Sequence, residues 1–275
     1  MTADKVMRIL AKSPAKQSEV DPAPTWLIQR SSTVLALVVT AICSASFEQV
    51  VFPCSCKKAV VRPLLNKCSS DADDPSSYWP ISNLSFLSKV TDKAVDARLS
   101  SHIGSNRLLP LFQSIYRPFH STETAFISIL NDMIAVVNQG CIGALMLLDL
   151  SAAFHMVDHT VLIEMMKTRF GVDGDTLRWV TDFLSNRSQS VHARDVKSEE
   201  SALHFGVPLG SMLCPRTFNQ YAEDVSKLFS HHHLCHHLLA DDMQCHCSGR
   251  PAEAPSMVSL LQRCIADVSI WCASR

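Results

Sequence analysis

This chain has no basic excess. Its 275 residues carry 25 Lys and Arg against 26 Asp and Glu, giving a net charge of -1 and a pI near 6.8. A protein that grips nucleic acid over its whole surface shows the opposite balance, because each cation set on a phosphate releases condensed counterions. Any such grip must come from a local cluster such as Lys57, Lys58, Arg62 and Lys67. The 11 cysteines lack the short, even spacing of a secreted disulfide framework, which points to reduced, buried thiols in an intracellular protein. Residues 1–19 are polar and charged, so no signal peptide is expected. The longest uncharged apolar run, residues 33–47, falls short of the ~20 residues that span a bilayer and reads as a buried helix; no membrane partner is expected. Repeats and low-complexity tracts are also missing. With 47% hydrophobic and 19% charged residues, the composition is that of a globular chain long enough to bury a core.

Periodicity gives a coarse order of elements. Val6, Ile9 and Leu10 mark a short amphipathic helix, and residues 59–65 a short strand. The clearest helix covers residues 121–138, where Phe126, Ile129, Leu130, Met133, Ile134 and Val137 form one apolar stripe. Ser121 is placed to cap it and Gly140 to stop it. Residues 142–148 are nearly all apolar and end at Asp149, which predicts a central strand buried on both faces. Helices over 160–170 and 175–184 follow, then a hairpin from 188–196 and 202–207, a helix over 211–229, and two strands around Asp241 and Asp242. This is an α+β layout, with helices on one side of a small, mostly antiparallel sheet.

Two features carry chemistry. An apolar strand delivers Asp149 at its end, and an apolar hairpin presents Asp241 and Asp242 at its tip. If strand and hairpin are neighbours, three carboxylates converge. Two such charges ~4 Å apart repel by about 4 kcal/mol at an effective dielectric of ~20, so the arrangement asks for a proton or a divalent cation. The plainer alternative is that each Asp is only a turn or cap residue. A second tract, His231, His232, His233, Cys235, His236, His237, Cys245, His246 and Cys247, has no regular zinc-ligand spacing and reads as sequence drift.

The words around the carboxylates decide between the alternatives. Leu148-Asp149-Leu150-Ser151-Ala152-Ala153-Phe154 resembles the first catalytic motif of reverse transcriptases from non-LTR (LINE-type, Jockey-like) retrotransposons. Gly206-Val207-Pro208-Leu209-Gly210-Ser211 resembles their template-gripping motif, and Ala240-Asp241-Asp242 their catalytic hairpin. Upstream, Tyr78-Trp79-Pro80-Ile81-Ser82-Asn83 is similar to the fingers motif, and residues 113–123 to the block leading into the palm. Similarity runs in order along nearly the whole chain.

The resemblance implies a right-hand polymerase fold with fingers in residues 1–140, the reverse transcriptase domain proper starting near 58, and a palm in residues 141–275, with the thumb missing. It implies RNA-directed DNA polymerisation from dNTPs on an RNA template and a DNA primer, with two Mg²⁺ ions held by Asp149, Asp241 and Asp242. Phe154 would be the gate against a ribose 2′-hydroxyl, and Gly210 would let the backbone approach template and incoming base pair. Lys57, Lys58, Arg62 and Lys67 would contact nucleic acid. No protein partner is implied, and a nuclear or cytoplasmic location follows only by analogy with retroelements. Five positions depart from the pattern: Trp79 for Arg, His155 for Asp, Leu209 for Gln, Cys214 for Gly and Leu239 for an aromatic. These departures predict little or no activity, and the alternative is a catalytically inactive relic acting as a weak nucleic-acid-binding module.

Overall fold

Three helices open the chain in the computed structural model, which describes residues 1–12, 19–21, 23–65, 71–115 and 119–275. Lys67 lies outside the described residues. Helix α1 (Ala3–Ala11) buries Val6, Ile9 and Leu10, and the short α2 (Thr25–Arg30) leads into α3 (Ser32–Gln49). The expected burial of residues 33–47 does not occur. α3 buries Ala36, Cys43 and Ser46 while Val34, Leu37 and Val38 are exposed. Among the described residues it is the one helix long and apolar enough to cross a membrane, with 22% of that stretch buried. Apolar residues surround its axis, so periodicity cannot choose a buried face for it.

The remaining elements run in the order β1 (Lys58–Leu65), β2 (Tyr78–Leu84), α4 (Phe86–Ser105), α5 (Thr122–Asn138), β3 (Ile142–Asp149), α6 (His159–Thr168), α7 (Gly174–Leu184), β4 (Arg187–Ala193), β5 (Val196–Lys197), β6 (Ser201–Leu203), α8 (Cys214–Tyr221), α9 (Val225–His231), β7 (Cys235–Leu239), β8 (Asp242–Gly249) and α10 (Ala254–Ala273). Helices mixed with mainly antiparallel strands make an α+β protein, as the pattern predicts. Among the described residues there are two sheets, however, where one was expected. A five-stranded sheet has the order β2-β1-β4-β5 with β6 also on β4, and a three-stranded sheet has the order β3-β8-β7. β4 lies parallel to β1, so the chain returns to the first sheet after residue 141. A division at residue 140 therefore does not follow the sheets.

α5 has the expected bounds. Ser121 and Thr124 form a reciprocal capping box, and Gly140 takes φ 73° just past its end. Its buried residues are Ala125 and Ile129, whereas Phe126, Leu130, Ile134 and Val137 of the predicted stripe are exposed. β3 also departs from expectation. It is an edge strand with Leu145 and Leu147 exposed, and only its other face, through Met146 and Leu148, joins the core. That core lies between the three-stranded sheet and α9 and α10, where Phe229, Cys264 and Val268 meet Met243 and Cys245. α5 approaches the opposite sheet face. A Cβ on Gly143 would lie 2.7 Å from Met133 Sδ, and Asp132 reaches His246 Nε2 at 3.6 Å. The expected helix over 211–229 is split into α8 and α9. Between them Asp224 accepts from Trp271 Nε1 at 3.0 Å and pairs with Arg275, tying the break to α10.

The larger core joins α4, α6, α7 and α8 through Leu99, Met166, Phe183 and Phe218. α4 is the least legible of these helices, because its buried side includes Ser88, Thr91 and Asp92 among the apolar Val90, Val95 and Leu99. Ser85 caps it by accepting from Ser88 N.

Candidate active site

Register brings the acids together. β3 and β8 are antiparallel, with Asp149 opposite Asp242 as the last pair of the ladder. Such pairs place Cα atoms about 4.5–5.5 Å apart with side chains on one face. β7 and β8 are joined through Ala240 and Asp241 between the paired Leu239 and Asp242, so Asp241 occupies the hairpin tip beside that pair. Asp149 and Asp242 are exposed and Asp241 is half-buried. Burial pushes the Asp241 carboxyl up from its ordinary value, and the neighbouring charges of Asp242 and Asp149 push it further in the same direction.

Among the described residues, none of the three carboxylates has an ion-pair partner. Like charges collected without counter-charge are costly, and hard carboxylate oxygens suit a divalent cation. The side chains nonetheless do not close on one point: among the described residues no three His, Cys, Asp or Glu side chains are arranged to hold an ion. The acids stand on adjacent strand ends as an open site. The same observation covers the His/Cys tract, where His236 is buried on the core face while His246 faces Asp132.

The hairpin tip is braced from a segment whose role the motifs do not reveal. Residues 112–114 run beside β7, with Leu238 N donating to Phe112 O at 2.9 Å and Ser114 N to Leu238 O at 3.0 Å. Gln113 is buried, and its Oε1 accepts from Ala240 N at 3.5 Å and from Ile115 N at 3.3 Å. Ala240 takes φ 61°, a conformation costing a non-glycine residue about 1 kcal/mol or more, and the surroundings hold it there. Leu239, where the family pattern has an aromatic, is buried.

Beyond β3 the backbone turns at Ala152 (φ 55°) into a short 3₁₀ turn carrying Phe154 and His155. The half-buried Phe154 ring lies 4.6 Å from that of Phe218 on α8, so it belongs partly to the core. Val207 N donates to Phe154 O and Gly206 N to Val157 O, both at 2.8 Å. Gly206 has φ 84°, and a Cβ there would stand 2.8 Å from His155 O and 2.9 Å from its Cα. Only glycine fits this approach. Gly210 (φ 86°) makes a different close contact, since a Cβ would lie 2.8 Å from Ser82 O on β2. Both glycines thus lock the 206–211 segment to its neighbours, one to the turn after β3 and one to the five-stranded sheet. Cys214 begins α8 and needs no positive φ, so its departure from glycine causes no backbone strain. A cleft of about 330 Å³ separates this segment from the sheet, lined by Val61, Ser82, His155, Gln189, Phe205 and Leu209.

A second tie went unsignalled by any motif. Asp92 on α4 is fully buried and accepts from Met212 N at 3.1 Å through Oδ2, while Oδ1 has no partner. Burial raises its carboxyl to about 7. One turn along, Asp96 accepts from Arg216 Nε at 2.6 Å. Two acids of α4 therefore clamp residues 212–216.

The basic cluster divides. Lys57 is buried and pairs with Asp182 at 3.1 Å, an acid that also accepts from Phe52 N at 2.6 Å. It is a structural cation, and its assignment to a nucleic-acid surface does not hold. Lys58 and Arg62 are exposed on one face of β1, paired with Glu200 and Glu19 respectively.

Sequence comparison accords with this geometry. The family described as reverse transcriptase (RNA-dependent DNA polymerase) matches residues 66–275. The chain is 28% identical over 216 residues to a probable RNA-directed DNA polymerase from transposon BS of Drosophila melanogaster, covering 78% of this chain and 23% of that protein. It is 26% identical over 231 residues to the RNA-directed DNA polymerase from mobile element jockey of the same organism, covering 82% and 24% respectively. The chain thus spans about a quarter of the length of these relatives. Matched over most of its length and in the order of its motifs, the chain belongs to the reverse transcriptase (RNA-dependent DNA polymerase) family and carries a reverse transcriptase domain of the LINE type.

Proposed function

We propose that this domain adds dNTPs to a DNA 3′-end on an RNA template, with Asp149, Asp241 and Asp242 holding two Mg²⁺ ions, and that it does so weakly. The observation that carries the reading is the unpaired acid cluster: Asp149 and Asp242 face each other at the sheet end with Asp241 beside them. Divalent ions bound there would activate the 3′-hydroxyl and balance charge on the leaving pyrophosphate. The protein's own groups do the positioning. β3 and β8 fix the spacing of the acids, and Gln113 braces the hairpin tip. Phe154, held against Phe218, would turn its ring edge toward the sugar and disfavour a 2′-hydroxyl. Gly210 keeps the 206–211 segment close to β2, next to the path proposed for the template. The three-stranded sheet with α9 and α10 would be the palm, and the five-stranded sheet the fingers.

Weak turnover follows from three side chains. Trp79 cannot offer the bidentate guanidinium that phosphate recognition uses, Leu209 has no amide to direct a hydrogen bond, and Leu239 supplies no ring. Loss of one electrostatic stabiliser in a water-excluded site costs about 3–4 kcal/mol. The test is dNTP incorporation on a primed RNA template with Mg²⁺ or Mn²⁺, using Asp241→Ala as control. Slow incorporation that vanishes in the control is expected. Robust extension by the natural sequence would overturn the impaired reading, and extension surviving in Asp241→Ala would overturn the carboxylate assignment.

A further inference from the structure

One face of the five-stranded sheet gathers basic side chains in a row. In the β1–β2 ladder Arg62 faces Ile81 and Leu64 faces Trp79, so these four side chains share a face with Lys58. In the parallel β1–β4 ladder Lys58 pairs with Ser188 and Val60 with Ser190, which places His192 beside Arg62. His192 in turn faces Lys197 on β5. The row Lys58, Arg62, His192 and Lys197 therefore lies across neighbouring strands, with Trp79 at its hairpin end, 69% exposed.

Two carboxylates sit on this row, and each bridges two donors. Glu19, from the segment before α2, pairs with the Arg62 guanidinium through Oε1 and lies 3.2 Å from His192 Nδ1 through Oε2. An ionised carboxylate only accepts, so His192 carries its proton on Nδ1, leaving Nε2 to accept from the Ser190 hydroxyl at 3.2 Å. Glu200 likewise accepts from Lys58 Nζ at 2.9 Å and from the Ser188 hydroxyl. Each bridge presents donors to two oxygens of one anion, the geometry that a phosphodiester also satisfies.

We propose that Arg62 with His192, and Lys58 with Ser188, are two backbone-phosphate sites for a single strand of nucleic acid, and that Glu19 and Glu200 occupy them as internal stand-ins when the strand is absent. Trp79 stacks a base at the end of the track, since an exposed indole on a basic face is a sequence-tolerant platform. The site is on a different sheet from the carboxylates. It rests on reading Lys58 and Arg62 as nucleic-acid contacts and needs no chemistry at the acids.

The test is fluorescence anisotropy of a labelled oligouridylate RNA over a salt series, without dNTP or divalent metal, so that loss of polymerisation cannot move the result. Glu19→Gln should bind more tightly than the natural sequence and steepen the slope of log affinity against log salt by about 0.7, the contribution of one single-strand phosphate contact. Adding Arg62→Gln should abolish that gain. Glu200→Gln and its combination with Lys58→Gln should repeat the pattern at the second site. Both glutamates are about half exposed, at 45% and 48%, so either arm decides the matter if one variant fails to fold. Trp79→Ala should weaken binding and leave the salt slope unchanged. Unchanged affinity in both glutamine variants overturns the proposal, as does a gain that survives Arg62→Gln and Lys58→Gln. Tighter binding of inorganic phosphate with no gain for RNA overturns the assignment to nucleic acid.

Discussion

The two sheets treat charge in opposite ways. On the five-stranded sheet every basic side chain of the row that the structure pairs has an acid against it: Lys58 with Glu200, Arg62 and His192 with Glu19. At the end of the three-stranded sheet Asp149, Asp241 and Asp242 share one corner and none has an ion-pair partner among the described residues. A chain folding by itself satisfies its charges where it can, because unpaired like charges cost free energy. The paired face is an arrangement that the protein completes alone. The acid corner is one that a ligand from outside must complete, and this asymmetry points to the chemical site more sharply than the presence of acids does.

The contrast can be strained at several points, beginning with the joint between the sheets. Gly206→Ala should lower stability by roughly 3 kcal/mol or more, because a left-handed residue gains a Cβ that strikes His155 backbone. Gly140→Ala, also left-handed but with nothing within 4 Å, should cost only about 1 kcal/mol. Urea unfolding of the two variants measures the difference, and equal losses would show that the Gly206 contact is slack.

Lys57 and Lys58 sharpen the comparison next. Lys57→Gln breaks a mostly buried pair, and with Asp182 30% exposed the loss should be about 2–3 kcal/mol, below the usual cost for a fully buried pair. RNA affinity should not change. Lys58→Gln, on an exposed pair, should alter stability by no more than about 0.5 kcal/mol and alter the salt dependence of binding instead. Chemical denaturation and anisotropy on both variants would expose a reversal.

A smaller effect, of opposite sign, is expected at the acid corner. Asp241→Asn removes one of three like charges and should raise the midpoint of thermal unfolding in metal-free buffer, by on the order of 1 kcal/mol in free energy or ~2–3 °C. Mg²⁺ should stabilise the natural sequence more than the variant. Calorimetry with and without Mg²⁺ tests both statements; destabilisation by Asp241→Asn in metal-free buffer would mean that the carboxylate is already satisfied.

The remaining effects concern pH, and they run in opposite directions at two buried places. Burial lowers the imidazoles of His236, His237 and His246 in the three-stranded sheet. As pH falls below the ordinary value of about 6.5, the unfolded chain takes up protons that these rings refuse, so stability declines toward acid. Asp92, at the junction with the 212–216 segment, is raised to about 7. Between its ordinary value of 3.8 and about 7 the unfolded chain releases a proton that the folded one keeps, so stability declines as pH rises. Asp92→Asn should therefore steepen the acid loss, and replacing His237 and His246 by Gln should flatten it. Urea midpoints across pH 4–8 check the signs.

Much of the site was legible because local pattern determines strand ends and turn residues. A run of apolar residues ending in Asp149 and an Asp pair between two short strands each place their acids at an element end, and the pairing of β3 with β8 then brings those ends together. Sequence also determined the bounds of α5, since Ser121 and Gly140 act within one turn of themselves. Which side of α5 is buried was decided elsewhere. Ala125 and Ile129 face inward and the bulkier Phe126, Leu130, Ile134 and Val137 outward, with Met133 of the inward stripe seated over Gly143 of the neighbouring sheet. The pairing partner of each lysine is equally a tertiary fact. Lys57 and Lys58 are adjacent in sequence, yet Lys57 ends the turn before β1 in a helical backbone conformation and turns inward to Asp182, while Lys58 opens the strand and points outward to Glu200, acids 125 and 142 residues away. The same holds for Asp92, whose partner Met212 lies 120 residues on. Short-range forces determined where turns, caps and strand ends fall, and the packing of distant segments alone decided which face is covered and which charges meet.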